Sequence, residues 1–142
     1  MSPPALTPHQ AGEVDREHRE LRCLIDSIAE RFAAESTEPD GLNQELSDLV
    51  VKLVAHFASE EATAGLYAQV LEQDARFAPE IARLTEEHTL MLAKAEGLAD
   101  ASKPLPEKQA DFQRLRQELE LHEASENRLL QQAYTDEIGS KD

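Results

Sequence analysis

Counting along the chain in alternating steps of four and three picks out four stretches whose apolar residues keep to one side of a helix. The first carries Val14, Leu21, Ile25, Ile28 and Phe32. The second carries Leu42, Leu46, Leu49, Leu53 and Tyr67, with Thr63 on the same line. The third reads Phe77, Ile81, Leu84, Met91, Ala95 and Leu98, and the fourth Phe112, Leu115, Leu119, Leu129 and Ala133, with Lys108 at its start. Punctuation sets the bounds. Thr7-Pro8 reads as an N-cap followed by proline at the first helical position, opening a helix over about 8–35. Turn residues over 36–41 lead to a second helix over about 41–73. The pattern breaks near 76–79, and a third helix runs on to about 101. Ser102-Lys103-Pro104-Leu105-Pro106 stops it, and a fourth helix follows over about 107–136. Four helices on short turns pack antiparallel to their neighbours. The expected fold is therefore all-α, an up-down-up-down antiparallel four-helix bundle over about 8–137, a single domain in 1–142 with short loose termini.

The same count also lands on six histidines and glutamates. His18, His56, His88 and His122 fall on the seams, one per helix, and Glu60 and Glu126 each follow a histidine by four residues. Residues four apart share a helical face, with Cβ atoms roughly 6 Å from one another. Burying ionisable groups among leucines costs on the order of several kcal/mol for each uncompensated charge. A lone histidine on an apolar face is most often a core residue satisfied by one hydrogen bond. Six such residues in register call for one shared compensation, and a buried cation supplies it. Mixed imidazole and carboxylate donors suit iron, manganese or zinc, and ligand counting permits one octahedral ion or two.

The two halves also look like a repeat, each a hairpin with one histidine on its first helix and His-x-x-x-Glu on its second. In an up-down bundle the second and fourth helices run the same way, so Glu60 and Glu126 should face each other at one level. That placement suits carboxylates bridging two ions, with two histidines capping each. The link from Glu60 through the Pro79 break to His88 is less balanced than the other two. Tyr67 and Tyr134 follow the two glutamates by about two turns, roughly 11 Å along a helix, and are expected at the core ends with wet hydroxyls. Leu53, Phe57, Leu84 and Met91 are expected to wall the site. Cys23 lies off the seam as an ordinary thiol, and His9 lies off the site.

Composition narrows the classes. A formal charge of −15 repels nucleic acid and anionic membrane surfaces. With Cys23 the only cysteine, no internal disulfide and no cysteine-based zinc site can form, which points to a reducing compartment. No apolar run reaches the length of a membrane span, and no basic-then-apolar leader opens the chain, so the default location is the cytoplasm. A monomer or small homo-oligomer is expected. His122-Glu123-Ala124-Ser125-Glu126 differs from a zincin motif because Glu126 stands where the second histidine belongs. Ferritin-like di-iron proteins use Glu-x-x-His on two helices, and Asp15-x-x-His18 is the nearest approach, found once.

The constellation of Glu17-His18-Arg19-Glu20-Leu21, His56-Phe57-x-x-Glu60-Glu61, Glu87-His88 and His122-x-x-x-Glu126 resembles the hemerythrin-like, or HHE cation-binding, family. The resemblance spans about 8–137. It implies a non-haem di-iron centre held by His18, His56, Glu60, His88, His122 and Glu126. Two iron ions would be bridged by both carboxylates and an oxo or hydroxo species, reacting with dioxygen, hydrogen peroxide or nitric oxide. Two departures from the respiratory hemerythrin pattern matter. Leu84 and Leu92 flank His88 where that pattern has a His-x-x-x-His pair, and Glu126 stands one residue closer to His122 than the usual aspartate. The site is one histidine short, so either one iron keeps an open position or Glu61, Glu87 or Glu123 fills it. An open position favours redox turnover, such as catalase-like peroxide breakdown, over simple oxygen carriage. The alternatives are a non-enzymatic protein that binds, stores or senses iron, and a metal-free interaction module.

Overall fold

The computed structural model describes residues 8–34 and 39–139. The leader, the Thr7 cap, the first turn over 35–38 and residues 140–142 lie outside the described residues. So do the side chains of 8–15, 39 and 135–139, among them His9 and the first seam position, Val14. The elements are α1 (Pro8–Ala33), α2 (Pro39–Glu61), α3 (Leu66–Gln73), α4 (Ala78–Leu98) and α5 (Leu105–Gly139), with a 3-10 turn over Ala75–Phe77. No strand occurs among the described residues, and no helix there is long and apolar enough to cross a membrane.

The four long helices form the expected bundle. Ion pairs between helices record their directions. Arg22 of α1 meets Glu123 of α5 at 2.9 Å, and Asp26 meets Arg116 at 2.8 Å, so α5 runs backwards as α1 advances. The seams interlock into a core in which Ile28, Leu49, Leu53 and Leu98 are fully buried. Burying a leucine-sized side chain contributes about 1.5–3 kcal/mol, which is why the period of the sequence fixes the packing. Lys108 keeps its seam position by burying its stem while its ammonium donates to Asn43 Oδ1 at 2.8 Å.

The second helix is shorter than its periodicity predicts. α2 stops at Glu61, residues 62–65 turn, and Thr63 is exposed instead of lying on the seam. Gly65 sets the break, donating its N–H to the Ala62 carbonyl at 2.8 Å. A Cβ there would lie 2.2 Å from the Ser59 carbonyl oxygen and 2.8 Å from that of Glu60, so this close approach requires glycine. α3 then packs Leu66, Tyr67 and Val70 on Ile81, Leu84, Leu129 and Ala133, closing one end of the bundle. The surplus length between Glu60 and His88 is the chain spent on α3. Asp74 ends this excursion by accepting from the Arg76 backbone N–H at 2.9 Å, and Pro79 stands at the start of α4. α5 starts at Leu105, earlier than expected, because Pro106 in a first turn forfeits no helical hydrogen bond.

Candidate metal centre

All six seam histidines and glutamates meet in one buried layer. Their exposures run from 1 % for His88 and Glu126 to 7 % for His18. Two sets of four donors emerge: His18, His56, Glu60 and Glu126, and Glu60, His88, His122 and Glu126. Within each set the donor atoms lie within 4.8 Å of one another, close enough to surround one cation. Both carboxylates belong to both sets. Glu60 Oε2 lies 3.4 Å from His56 Nε2 and Glu60 Oε1 lies 3.2 Å from His88 Nε2, while Glu126 spans His18 and His122 at 3.8 and 3.6 Å.

Each imidazole turns its other nitrogen outward to a carboxylate on a neighbouring helix. His56 Nδ1 faces Glu17 at 3.0 Å, His88 Nδ1 faces Glu61 at 2.7 Å, and His122 Nδ1 faces Glu87 at 2.7 Å. His18 Nδ1 lies 3.5 Å from Glu123. The four contacts form a closed ring, α1 to α2, α2 to α4, α4 to α5 and α5 back to α1. Such a partner holds the proton on Nδ1 and aims the Nε2 lone pair inward. Glu61, Glu87 and Glu123 therefore stand on the outer side of the imidazoles, against their Nδ1 atoms. Glu17 was not singled out from the sequence. The signal was adjacency, since each of the four outer glutamates is next in sequence to one of the six inner residues.

Electrostatics fit a cation. Burial, and then the adjacent Glu126 carboxylate, push the Glu60 pKa up to about 11. Burial also opposes ionisation of Glu126, but His122, Glu60 and Tyr67 outweigh it and draw that carboxyl below the usual range. Glu60 thus keeps its proton beside an ionised Glu126, where a cation would let both ionise. Neither Glu60 oxygen has a hydrogen-bond partner, an unmet need that a metal ion would satisfy. Burial, reinforced by His18, lowers the His56 pKa, and burial with His122 lowers that of His88, so both imidazoles are held neutral, the form that coordinates metal. For His122 burial is overcome by Glu126 and Glu87, and its pKa rises.

Tyr67 is the residue that sequence reasoning misplaced. The turn at 62–65 folds α3 back, and the Tyr67 hydroxyl donates to Glu126 Oε2 at 2.7 Å and lies 2.9 Å from His88 Nε2. Burial and the Glu126 and Glu60 charges raise its pKa, so the phenol keeps its proton. Tyr134 does not echo it: far down α5, its hydroxyl is buried without a hydrogen-bond partner among the described residues, not wet as expected. Phe57 stacks on His88 with ring centres 3.9 Å apart, walling the site as expected. Met91 and Leu84 are buried one turn either side of His88, and Leu53 packs into the core. Cys23 is exposed as a free thiol.

A family model described as "Hemerythrin HHE cation binding domain" matches residues 9–134. The chain matches none of the curated proteins or solved structures compared with it.

Proposed function

Because the chain belongs to the hemerythrin HHE cation-binding family, we propose that it is a non-haem di-iron protein that reacts with dioxygen, hydrogen peroxide or nitric oxide. The supporting observation is the pair of interlocking donor sets that share both Glu60 and Glu126. His18 and His56 would cap one ion, His88 and His122 the other, and the two carboxylates would bridge them. A bound iron pair supplies two one-electron redox partners and coordination positions for a small oxidant.

The protein's own contribution is orientation, proton placement and dryness. The outer glutamates hold the four imidazoles in the tautomer that presents Nε2. Tyr67 keeps a proton beside Glu126, within reach of a molecule bound at the second set. Phe57 covers the His88 face and excludes water there. With two histidines per ion, the site is one histidine short of the respiratory pattern, which leaves room for turnover, so breakdown of hydrogen peroxide is the favoured activity. The free thiol of Cys23 is consistent with a reducing cytoplasm as its place of work.

Metal analysis and an absorption spectrum on protein purified from iron-fed cells test this reading. Two irons per chain with a ferric near-ultraviolet band are expected, together with peroxide decay that Glu126→Ala abolishes. Stoichiometric zinc without that band, or decay unchanged in Glu126→Ala, would overturn it.

A further inference from the structure

A cavity of about 300 Å³ lies between α1 and α5 and reaches the candidate metal centre. Its inner end is formed by His18, His56 and Glu126. Its walls are Leu21, Ile25, Phe57 and Leu119. At its rim the pairs Arg22–Glu123 and Arg116–Asp26 cross from one helix to the other. Dioxygen, nitric oxide and hydrogen peroxide are each no larger than a water molecule or two, and water occupies about 30 Å³ in the liquid. The cavity is therefore several times too large for them. An apolar cavity of about 150 Å³ already takes up benzene, and this one is roughly twice that size.

The lining also specifies the character of an occupant. Its walls are apolar along their length between a polar inner end and a charged rim, the arrangement of a small-molecule site. The rim disfavours anions, because Asp26, Glu120 and Glu123 outnumber Arg22 and Arg116, and both arginines are already paired. Those pairs are partly exposed, at 29–61 %, and worth at most about 1 kcal/mol each. Side chains of that kind swing aside on fast timescales, so they filter entry without sealing it.

The geometry points to a binding site for a neutral organic molecule of one-ring size bearing a single oxygen head group, an alcohol, phenol or hydroperoxide, held with that head toward His18 and Glu126. The inference deepens the reading of the metal centre by naming a substrate class, and rests on it only for what the head group meets. The size and lining of the cleft stand without it.

Phenol is the probe, titrated into the zinc-loaded, redox-silent protein while methyl NMR signals are followed. Saturable shifts are expected at Leu21, Ile25 and Leu119 and absent at the exposed Leu90 and Leu121 on the α4–α5 face. Leu119→Trp, checked for native helicity, fills the cleft and should weaken phenol binding by about tenfold or more. Arg22→Ala, which only opens the rim, should leave affinity within about threefold. Shifts that never saturate, that spread to Leu90 and Leu121, or that persist unchanged in folded Leu119→Trp would overturn the proposal. The chain purified without metal should bind phenol at the same methyls. Phenol binding by a protein that takes up no metal would refute the metal centre and leave the cleft standing, whereas metal uptake without phenol binding would do the reverse.

Discussion

The Tyr67 hydroxyl donates to Glu126 Oε2 across 2.7 Å, tying the short helix at the end of the bundle to a carboxylate at its centre. Removing it in Tyr67→Phe leaves a buried acceptor unmet. A loss of about 1–3 kcal/mol is expected in urea unfolding of the chelator-treated protein. An unchanged midpoint and slope would show that Glu126 does not depend on this hydroxyl.

Gly65 makes that contact possible by letting the backbone pass close to the Ser59, Glu60 and Ala62 carbonyls. Those atoms belong to the main chain and cannot rotate away from a methyl group. Gly65→Ala is therefore expected to destabilise by roughly 2 kcal/mol or more. Adding Tyr67→Phe to it should cost less than Tyr67→Phe alone, because the displaced α3 no longer delivers the hydroxyl. Strict additivity in the double-mutant cycle would separate the two residues.

The outer glutamates should govern metal affinity without contacting the ions. Glu61→Ala and Glu87→Ala, which remove the 2.7 Å partners of His88 and His122, are each expected to weaken zinc binding about 10–100-fold. Glu123→Ala, whose carboxylate stands 3.5 Å from His18, should cost less. Competition against a chromogenic chelator measures all three, and equal losses would contradict the graded distances.

The proton on Glu60 makes stability and metal uptake respond oppositely to pH. Its pKa lies near 11 in the folded chain against 4.5 for the free group, so the folded state holds the extra proton. That contribution is complete below about pH 4.5 and is lost as pH rises toward 11. The raised pKa of His122 adds to this loss above about pH 6.5, whereas the lowered pKa values of His56 and His88 act the other way, but only below it. From pH 7 to 9 the metal-free protein should therefore lose stability, by at most about 1.4 kcal/mol per pH unit for one proton. Zinc affinity should rise over the same range as loading expels that proton. Thermal melts across this range measure the first effect, and Glu60→Gln should flatten the slope. A slope unaltered in Glu60→Gln would assign the proton elsewhere.

The bundle and its six inner residues were legible because both depend on period. Each seam position is a place where burial acts on every turn, so a histidine or glutamate there stands out against leucine. The end of α2 was illegible for the same reason. Thr63 and Tyr67 keep the helical count straight through the turn, and the lone warning, Gly65, costs a helix only about 1 kcal/mol. With that turn unseen, Tyr67 is assigned a distance of two turns from Glu60, when the fold-back brings it into contact with Glu126. The outer ring was hidden by abundance. Glu17 is one of 29 acidic residues, and a half-exposed carboxylate that orients an imidazole has the same sequence signature as one that merely meets water.

The insertion of α3 has a thermodynamic consequence for the twofold repeat. It places the Tyr67 phenol beside His88, where Phe57 of α2 already stacks, while the His18 side looks out through the cleft. The two compartments are inequivalent, so a calorimetric zinc isotherm should resolve two successive events, with a singly occupied species accumulating between them. A single sigmoidal filling of both places would mean that the halves still behave as twins.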